Sequence, residues 1–350
     1  MKFCRLLLLI LLMFQTLEAG YGALPIKTAE PQENKIYPIA IIGAGAAGTM
    51  AVKRAILDNH EVLLFTGDKL DRKRSCGNWV KKVDNVPGLG KYTRTVLELR
   101  NEVLEEIAQT VFSNNLFVIE DSIASIEKQD EIFKLVDNTG RSYDVKFVVL
   151  ATGIMKEQPQ IQQSIRPILK YANAQTIGYC CLCDGHRCYG KKTVVIGHTN
   201  FAAATALDLK QKYQLNTITL LTNGQPHEFA PEQLHELEEK RILICDAPIH
   251  EIIGNEQQKE LHGFKLATGD VIEAEIGFVS LGIRANNKLA VQLGAQLNDY
   301  GLVITSEECE SSVPNLFVIG DLRANSLKQI YTAWQHAVDA LQEIDCRIER

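Results

Sequence analysis

The sequence carries no excess of basic charge. Across 350 residues, 43 acidic side chains oppose 37 basic ones, for a net charge of −6. Without a basic field there is little to attract a phosphate backbone, so nucleic acid is not an expected partner. Beyond the N-terminus no apolar run approaches the ~18 residues that a membrane-spanning helix needs. There is no low-complexity tract, and a composition of 46% hydrophobic and 23% charged residues excludes wholesale disorder, collagen and coiled coil. The nine cysteines are too dilute for a disulfide-stapled small domain. What is present is an ordinary globular composition, long enough for two domains at about 100–200 residues each.

Residues 1–22 read as a secretory signal. Lys2 and Arg5 precede an apolar run from Leu6 to Phe14, which is too short to cross a bilayer, and Ala19, Gly20, Gly22 and Ala23 offer a small-residue exit. Cleavage is expected between Ala19 and Ala23. No cysteine follows the exit to carry a lipid, and no arginine pair marks a twin-arginine route. An uncleaved N-terminal anchor is the alternative. After removal of the signal the chain is expected to stay off the membrane, in a periplasm, the medium or an endoplasmic lumen.

The remainder alternates β-like and helical patterns. A strand at Ile36–Ile42 leads into Gly43-Ala-Gly-Ala-Ala-Gly48, a helix follows from Met50, and a second strand spans Glu61–Phe65, which together make a βαβ unit. A helix is expected around Val96–Ile107, then strands at Leu116–Ile119, Phe133–Val136 and Val145–Leu150. A second βαβ pattern starts at Thr193–Ile196, turns at Gly197, and continues as a helix over Phe201–Lys212 and a strand at Thr217–Leu221. The C-terminus reads as a strand at Leu316–Ile319, the pair Gly320-Asp321, and a helix from Ser326 to about Ile344. The expected fold class is α/β, with two Rossmann-like three-layer nucleotide-binding domains, the second inserted into the first. Residues 36–155 plus 277–350 form one domain, and residues 156–276 the other.

In Gly43-x-Gly45-x-x-Gly48 the first glycine permits the turn, the second lets backbone approach a pyrophosphate, and the third lets helix pack on strand. The helix N-terminus then holds the phosphates. An acidic residue should close the second strand for the ribose hydroxyls. This chain has Thr66-Gly67 there, with Asp68 slightly late.

The second turn differs. In Gly197-His198-Thr199-Asn200-Phe201-Ala202 only the first glycine and the closing Ala remain, and Thr199 stands where backbone would meet a pyrophosphate. The stretch after the next strand, Thr222-Asn223-Gly224-Gln225, has no arginine to fork a 2′-phosphate. This turn reads as a nucleotide scaffold that has lost most of its NADPH chemistry. Weak nicotinamide binding, or a preference for NADH, is the competing reading.

Tyr179-Cys180-Cys181-Leu182-Cys183-Asp184-Gly185 precedes that unit. Cys180 and Cys183 form a C-x-x-C. If they open a helix, its dipole favours the Cys180 thiolate, and Asp184 is placed to move a proton to or from a departing thiolate. His186 is a second candidate for that proton, or a loop cap. Cys181 should point away from the pair. With Cys188 the cluster could instead bind zinc or an iron–sulfur centre, though its spacing matches no common ligand set. A structural disulfide and inert buried thiols are the other readings. Cys76, Cys245, Cys309 and Cys346 read as packed thiols, and Trp79 as packing.

Taken together, Gly43-Ala-Gly-Ala-Ala-Gly48, Asn85-Val86-Pro87-Gly88, Ala151-Thr152-Gly153, Cys180-x-x-Cys183-Asp184-Gly185 and Gly320-Asp321 with Lys328-Gln329-Ile330 resemble the low-molecular-weight thioredoxin reductase family over about residues 36–345. The resemblance implies FAD in the outer domain. It would be held by Gly43, Gly45, Ala46, Ala47 and Gly48, near Thr66, Gly67 and Asn85, along Ala151, Thr152 and Gly153, through Gly320 and Asp321 to the ribityl chain, and by the backbone at Lys328, Gln329 and Ile330. It implies that Cys183 faces the flavin and that Cys180 meets a dithiol or disulfide substrate, either small or a thioredoxin-like protein. It also implies a homodimer and a rotating central domain. Lacking the family's arginine-bearing NADPH motif and second glycine loop, the chain is similar to the NADPH-independent members and to dithiol oxidases of the gliotoxin-oxidase type. The expectation is an exported FAD-dependent dithiol oxidase, with an NAD(P)H-dependent reductase and a non-catalytic flavoprotein module as alternatives.

Overall fold

The computed structural model describes residues 26, 28–74, 76–78, 82–83, 85–89, 95–255, 257 and 259–348. The expected signal, residues 1–22, and Trp79 lie outside the described residues. The chain divides into two compact units, one of residues 1–78, 94–154 and 285–350, the other of residues 79–93 and 155–284.

The first unit opens with strand β1 (Ile36–Ile42), helix α1 (Ala46–Leu57) and strand β2 (Val62–Phe65). Helix α2 (Val96–Ala108) follows, then strands β3 (Leu116–Ile119), β4 (Ile123–Gln129), β5 (Ile132–Asp137) and β6 (Ser142–Leu150). β2 is buried along its whole length, as suits a parallel strand covered on both faces. α2 starts with a capping box, in which Thr95 and Glu98 exchange side-chain-to-backbone hydrogen bonds.

In the second unit, strand β7 (Ile177–Gly178) precedes helix α3 (Cys181–Asp184) and a 3₁₀ turn over Gly185–Cys188. Strand β8 (Thr193–Ile196), helix α4 (Asn200–Lys212) and strand β9 (Ile218–Leu221) make its βαβ unit. Helix α5 (Pro231–Glu239) and strand β10 (Leu243–Cys245) follow. Strands β11 (Ile249–Asn255), β12 (Glu260–Leu266) and β13 (Val271–Glu273) form an antiparallel three-stranded sheet before β14 (Ile276–Val279). The parallel sheet runs β10-β9-β8-β14-β7.

The chain then returns to the first unit with strand β15 (Leu316–Val318) and the long helix α6 (Ile330–Ile348). The sheet of that unit runs β3-β2-β1-β6-β5-β4. β6 divides its outer side between two partners: its first half pairs antiparallel with β5, while Val148–Leu150 pair parallel with β15. Five parallel strands, β3, β2, β1, β6 and β15, therefore lie side by side. One face is covered by α1 and α6, whose Ala51, Val52, Ala55, Ala337, Ala340 and Leu341 are fully buried with Ile39, Ile41, Leu64 and Phe317. Small alanines on both helices allow their close packing.

Two expectations are adjusted. α6 begins at Ile330 rather than Ser326. The preceding residues make a tight loop instead, with Lys328 Nζ donating to the Arg323 carbonyl and the Ser326 hydroxyl. The polar strand β4 was not anticipated, because its residues Glu127, Lys128 and Gln129 give no apolar alternation.

Candidate active site

Four of the segments expected to hold a dinucleotide leave the carboxyl ends of β1, β2, β6 and β15. Gly43 follows β1, Thr66-Gly67 follows β2, Ala151-Thr152-Gly153 follows β6 and Gly320-Asp321 follows β15. Backbone bonds carry the sheet past its formal end: Gly43 N–H donates to Phe65 O at 2.8 Å, Ala151 to Ile42 at 2.8 Å, and Ile319 to Leu150 at 3.0 Å. The crevice at the carboxyl ends of an open parallel sheet is where such folds bind ligands.

The three glycines of the first turn do different things. Gly43 has φ +108°, and a Cβ there would stand 2.5 Å from the Ala151 carbonyl. A Cβ at Gly48 would overlap the Gly43 carbonyl. At Gly45 a Cβ would meet nothing within 4 Å, so this glycine is not required by packing. Gly45 is also the N-cap of α1, which has no side-chain cap and no acidic residue in its first turn. Open space before a positive helix end fits a pyrophosphate. Ala47 is 7% exposed, and a Cβ at Gly320 would lie 2.8 Å from its methyl group, so Ala47 and Gly320 let the loop after β15 close on α1. The dinucleotide expected from the sequence thus has a cradle the residues present can supply.

Around it, Thr66 is buried and its N–H donates to Ile119 O at 3.0 Å. Asp68 is engaged elsewhere. Its carboxylate accepts from the N–H groups of Leu70 and Asp71 at 2.7 and 2.8 Å, capping the short helix Lys69–Arg74. Asn286, which no sequence signal marked, latches the turn after β6: its amide donates to Thr152 O at 2.8 Å, Thr152 Oγ1 donates to Asn286 O at 2.7 Å, and Asn286 N–H donates to Gly153 O. Gln329 is buried, and its carbonyl accepts the Ala333 N–H as α6 begins at Ile330. Asn85 sits in the turn before Leu89, in the residues that group with the second unit.

In the second unit Cys180 and Cys183 are joined by a disulfide, with Cα atoms 5.3 Å apart. Cys180 is the N-cap of α3: its Sγ accepts the Cys183 N–H at 3.3 Å, and its carbonyl accepts the N–H groups of Cys183 and Asp184. Asp184 is ion-paired with Arg187 at 3.1 Å, both side chains being half-buried. Gly178 makes room beneath: a Cβ there would stand 3.1 Å from the Phe278 ring and 3.3 Å from Asp184 Cβ. Neither Gly178 nor Arg187 was marked by the sequence reading. His186 is exposed. Cys181 packs against the core around α4, and burial, then Asp208, Cys188 and Asp184, push its thiol up to about 12. Cys188 is fully buried, with its Sγ–H donating to Gly185 O at 2.8 Å. Among the described residues, no group of three or more His, Cys, Asp or Glu could hold a metal ion.

The second βαβ turn contrasts with the first. A Cβ at Gly197 would stand 2.6 Å from Ala202 Cβ, so this glycine serves helix–strand packing. Thr199 Oγ1 and His198 Nδ1 are buried there without a hydrogen-bond partner among the described residues. The backbone of Glu228 donates to His198 O, and that of Ala230 to Asn200 Oδ1. Asn223 is committed on both sides, donating to Gln160 O at 3.0 Å and accepting from Ile249 N–H at 2.8 Å.

Known proteins bear on both sites. The thioredoxin reductase of Mycoplasma genitalium is 27% identical over 322 residues, covering 89% of this chain and 96% of that protein. The structure of thioredoxin reductase from Streptococcus pyogenes superposes with a TM-score of 0.75 at 22% identity, over 91% of this chain and 99% of the other. That of HlmI does so with a TM-score of 0.74 at 17% identity, over 92% and 96%. Residues 37–337 match the model of the family described as pyridine nucleotide-disulphide oxidoreductase. The chain belongs to that family, as an FAD-dependent, thioredoxin reductase-like disulfide oxidoreductase with a Cys180–Cys183 pair.

Proposed function

We propose that this protein is an exported dithiol oxidase working without a nicotinamide cofactor. The observation that carries the reading is the contrast between its two βαβ turns: Gly45 opens onto empty space before an uncapped helix, whereas the second turn presents His198 and Thr199 and no arginine after β9. The first unit is the FAD-binding domain, with the cofactor held by the Gly43–Gly48 turn, Thr66-Gly67, Ala151–Gly153, Gly320-Asp321 and Lys328–Ile330. The second is a nicotinamide-domain relic carrying the redox pair. Bound FAD supplies a two-electron acceptor that can be reoxidised by dioxygen.

A substrate thiolate attacks Cys180 Sγ, forming a mixed disulfide and releasing Cys183 as thiolate, the sulfur assigned to the cofactor side. The second substrate thiol then attacks the substrate sulfur bonded to Cys180, closing the substrate disulfide and freeing Cys180 as the mixed disulfide breaks. Asp184 takes the proton of the attacking thiol and returns it to the departing Cys180 sulfur. His186 is the second candidate for this transfer. Export follows from residues 1–22, and among the described residues no helix is long and apolar enough to cross a membrane. The working form is a homodimer. The N-terminus of α4, which has no side-chain cap and no acidic residue in its first turn, favours the second reading, an NAD(P)H-dependent thioredoxin-type reductase with an altered nicotinamide site.

The test is oxygen uptake by the FAD-loaded protein with dithiothreitol. Cys180→Ser is expected to keep its flavin and lose at least about a hundredfold in rate, the usual cost of a lost nucleophile. Full-rate oxidation by this variant would overturn the catalytic assignment.

A further inference from the structure

Arg187 lies one turn beyond the C-x-x-C, with its Nε 3.1 Å from Asp184 Oδ1. Asp184 is tied to the redox pair, because its N–H donates to Cys180 O at 3.0 Å. A carboxylate at this place carries a cost. Its negative charge opposes formation of a thiolate beside it, and this is felt at the neighbouring Cys181, whose thiol is pushed up in part by Asp184. Arg187 places a permanent positive charge against that carboxylate. The ion pair is half-buried, so solvent screens it only partly.

We infer that Arg187 is a positioning residue for thiol–disulfide exchange: it neutralises Asp184 beside Cys180–Cys183, so that the thiolate of Cys180 in the reduced pair is favoured and the oxidised pair accepts electrons more readily. The inference rests on the exchange chemistry proposed above and sets its direction. A disulfide whose reduced form is stabilised as thiolate is the stronger oxidant. The substrate dithiol supplies the two electrons, which pass to the Cys180–Cys183 disulfide as its S–S bond breaks and the substrate's forms. Arg187 exchanges no proton, electron or bond.

The experiment uses the FAD-loaded protein, anaerobic and reduced with excess dithiothreitol. The pH dependence of iodoacetamide alkylation is read at Cys180 by peptide mass, and the Cys180–Cys183 equilibrium is measured against a glutathione redox buffer. Four variants are compared with the parent: Arg187→Leu, Arg187→Lys, Asp184→Asn and the Asp184→Asn/Arg187→Leu pair. Arg187→Leu is expected to move half-maximal alkylation up by about one pH unit and to make the disulfide about tenfold harder to reduce, which is about 30 mV. Arg187→Lys keeps the parent values, and the double variant returns to them, because both charges are then gone. An unmoved Arg187→Leu profile, or a shift that persists in the double variant, overturns the inference. Flavin content and thermal unfolding show whether each variant is folded, and the lysine variant carries the charge test if leucine destabilises the turn. The proposed function fails on a different observation, full activity of Cys180→Ser, so the two failures are separable.

Discussion

His336 illustrates how one side chain sets a property the fold alone would not. It is 5% exposed on α6, and its Nδ1 has no hydrogen-bond partner among the described residues. Burial, followed by the charge of Arg323, pulls its imidazole down from 6.5 to about 4, with Asp339 opposing and Lys328 adding a weaker push in the same direction as Arg323. The unfolded chain therefore binds a proton that the folded chain refuses between pH 6.5 and about 4. Stability from this group is complete above pH 6.5 and is lost as the pH falls through that window, by roughly 2–3 kcal/mol. Urea unfolding at pH 7 and pH 4.5 should show the parent losing about 2 kcal/mol more than His336→Leu. Equal losses in the two proteins would remove His336 from the account.

At the scale of elements, the turn after β1 is the proposed cofactor cradle. Gly48 is needed for the fold, since a Cβ would overlap the Gly43 carbonyl, but Gly45 is not, since a Cβ there meets nothing within 4 Å. Gly45→Val should fold with a melting temperature near that of the parent's apoprotein, yet load at least about tenfold less FAD, because a branched side chain fills the pyrophosphate approach. Flavin absorbance per mole of purified protein, with and without added FAD, measures this. Normal loading would contradict the assignment of the turn. This element was legible in the sequence because three glycines at fixed spacing between an apolar strand and a helix serve one geometry. β1, β3 and β8 were equally plain, being apolar runs bounded by turns. Other features were not. Asp68 looked like a late ribose ligand, but its carboxylate is spent on a helix cap. Asn286 acts on Thr152 and Gly178 makes room for the Phe278 ring, each about 100 positions or more away, for which one sequence holds no signal. Arg187 was hidden because an i,i+3 ion pair depends on Asp184 and the 3₁₀ turn bringing the two side chains to one side.

At the scale of the whole molecule, the two units repeat one architecture with unequal turns. The family match spans residues 37–337, and the relatives are covered nearly end to end. The chain thus keeps the complete two-domain frame while the second turn departs from the dinucleotide pattern at His198 and Thr199. The proposed function has electrons enter from the substrate side, through Cys180 and Cys183. That can be examined by mixing the anaerobic, FAD-loaded protein with NADPH, NADH or dithiothreitol and following the flavin absorbance. Prompt bleaching by dithiothreitol, lost in Cys180→Ser, with no rapid bleaching by either nicotinamide, is the expected result; rapid stoichiometric bleaching by NADPH would contradict it.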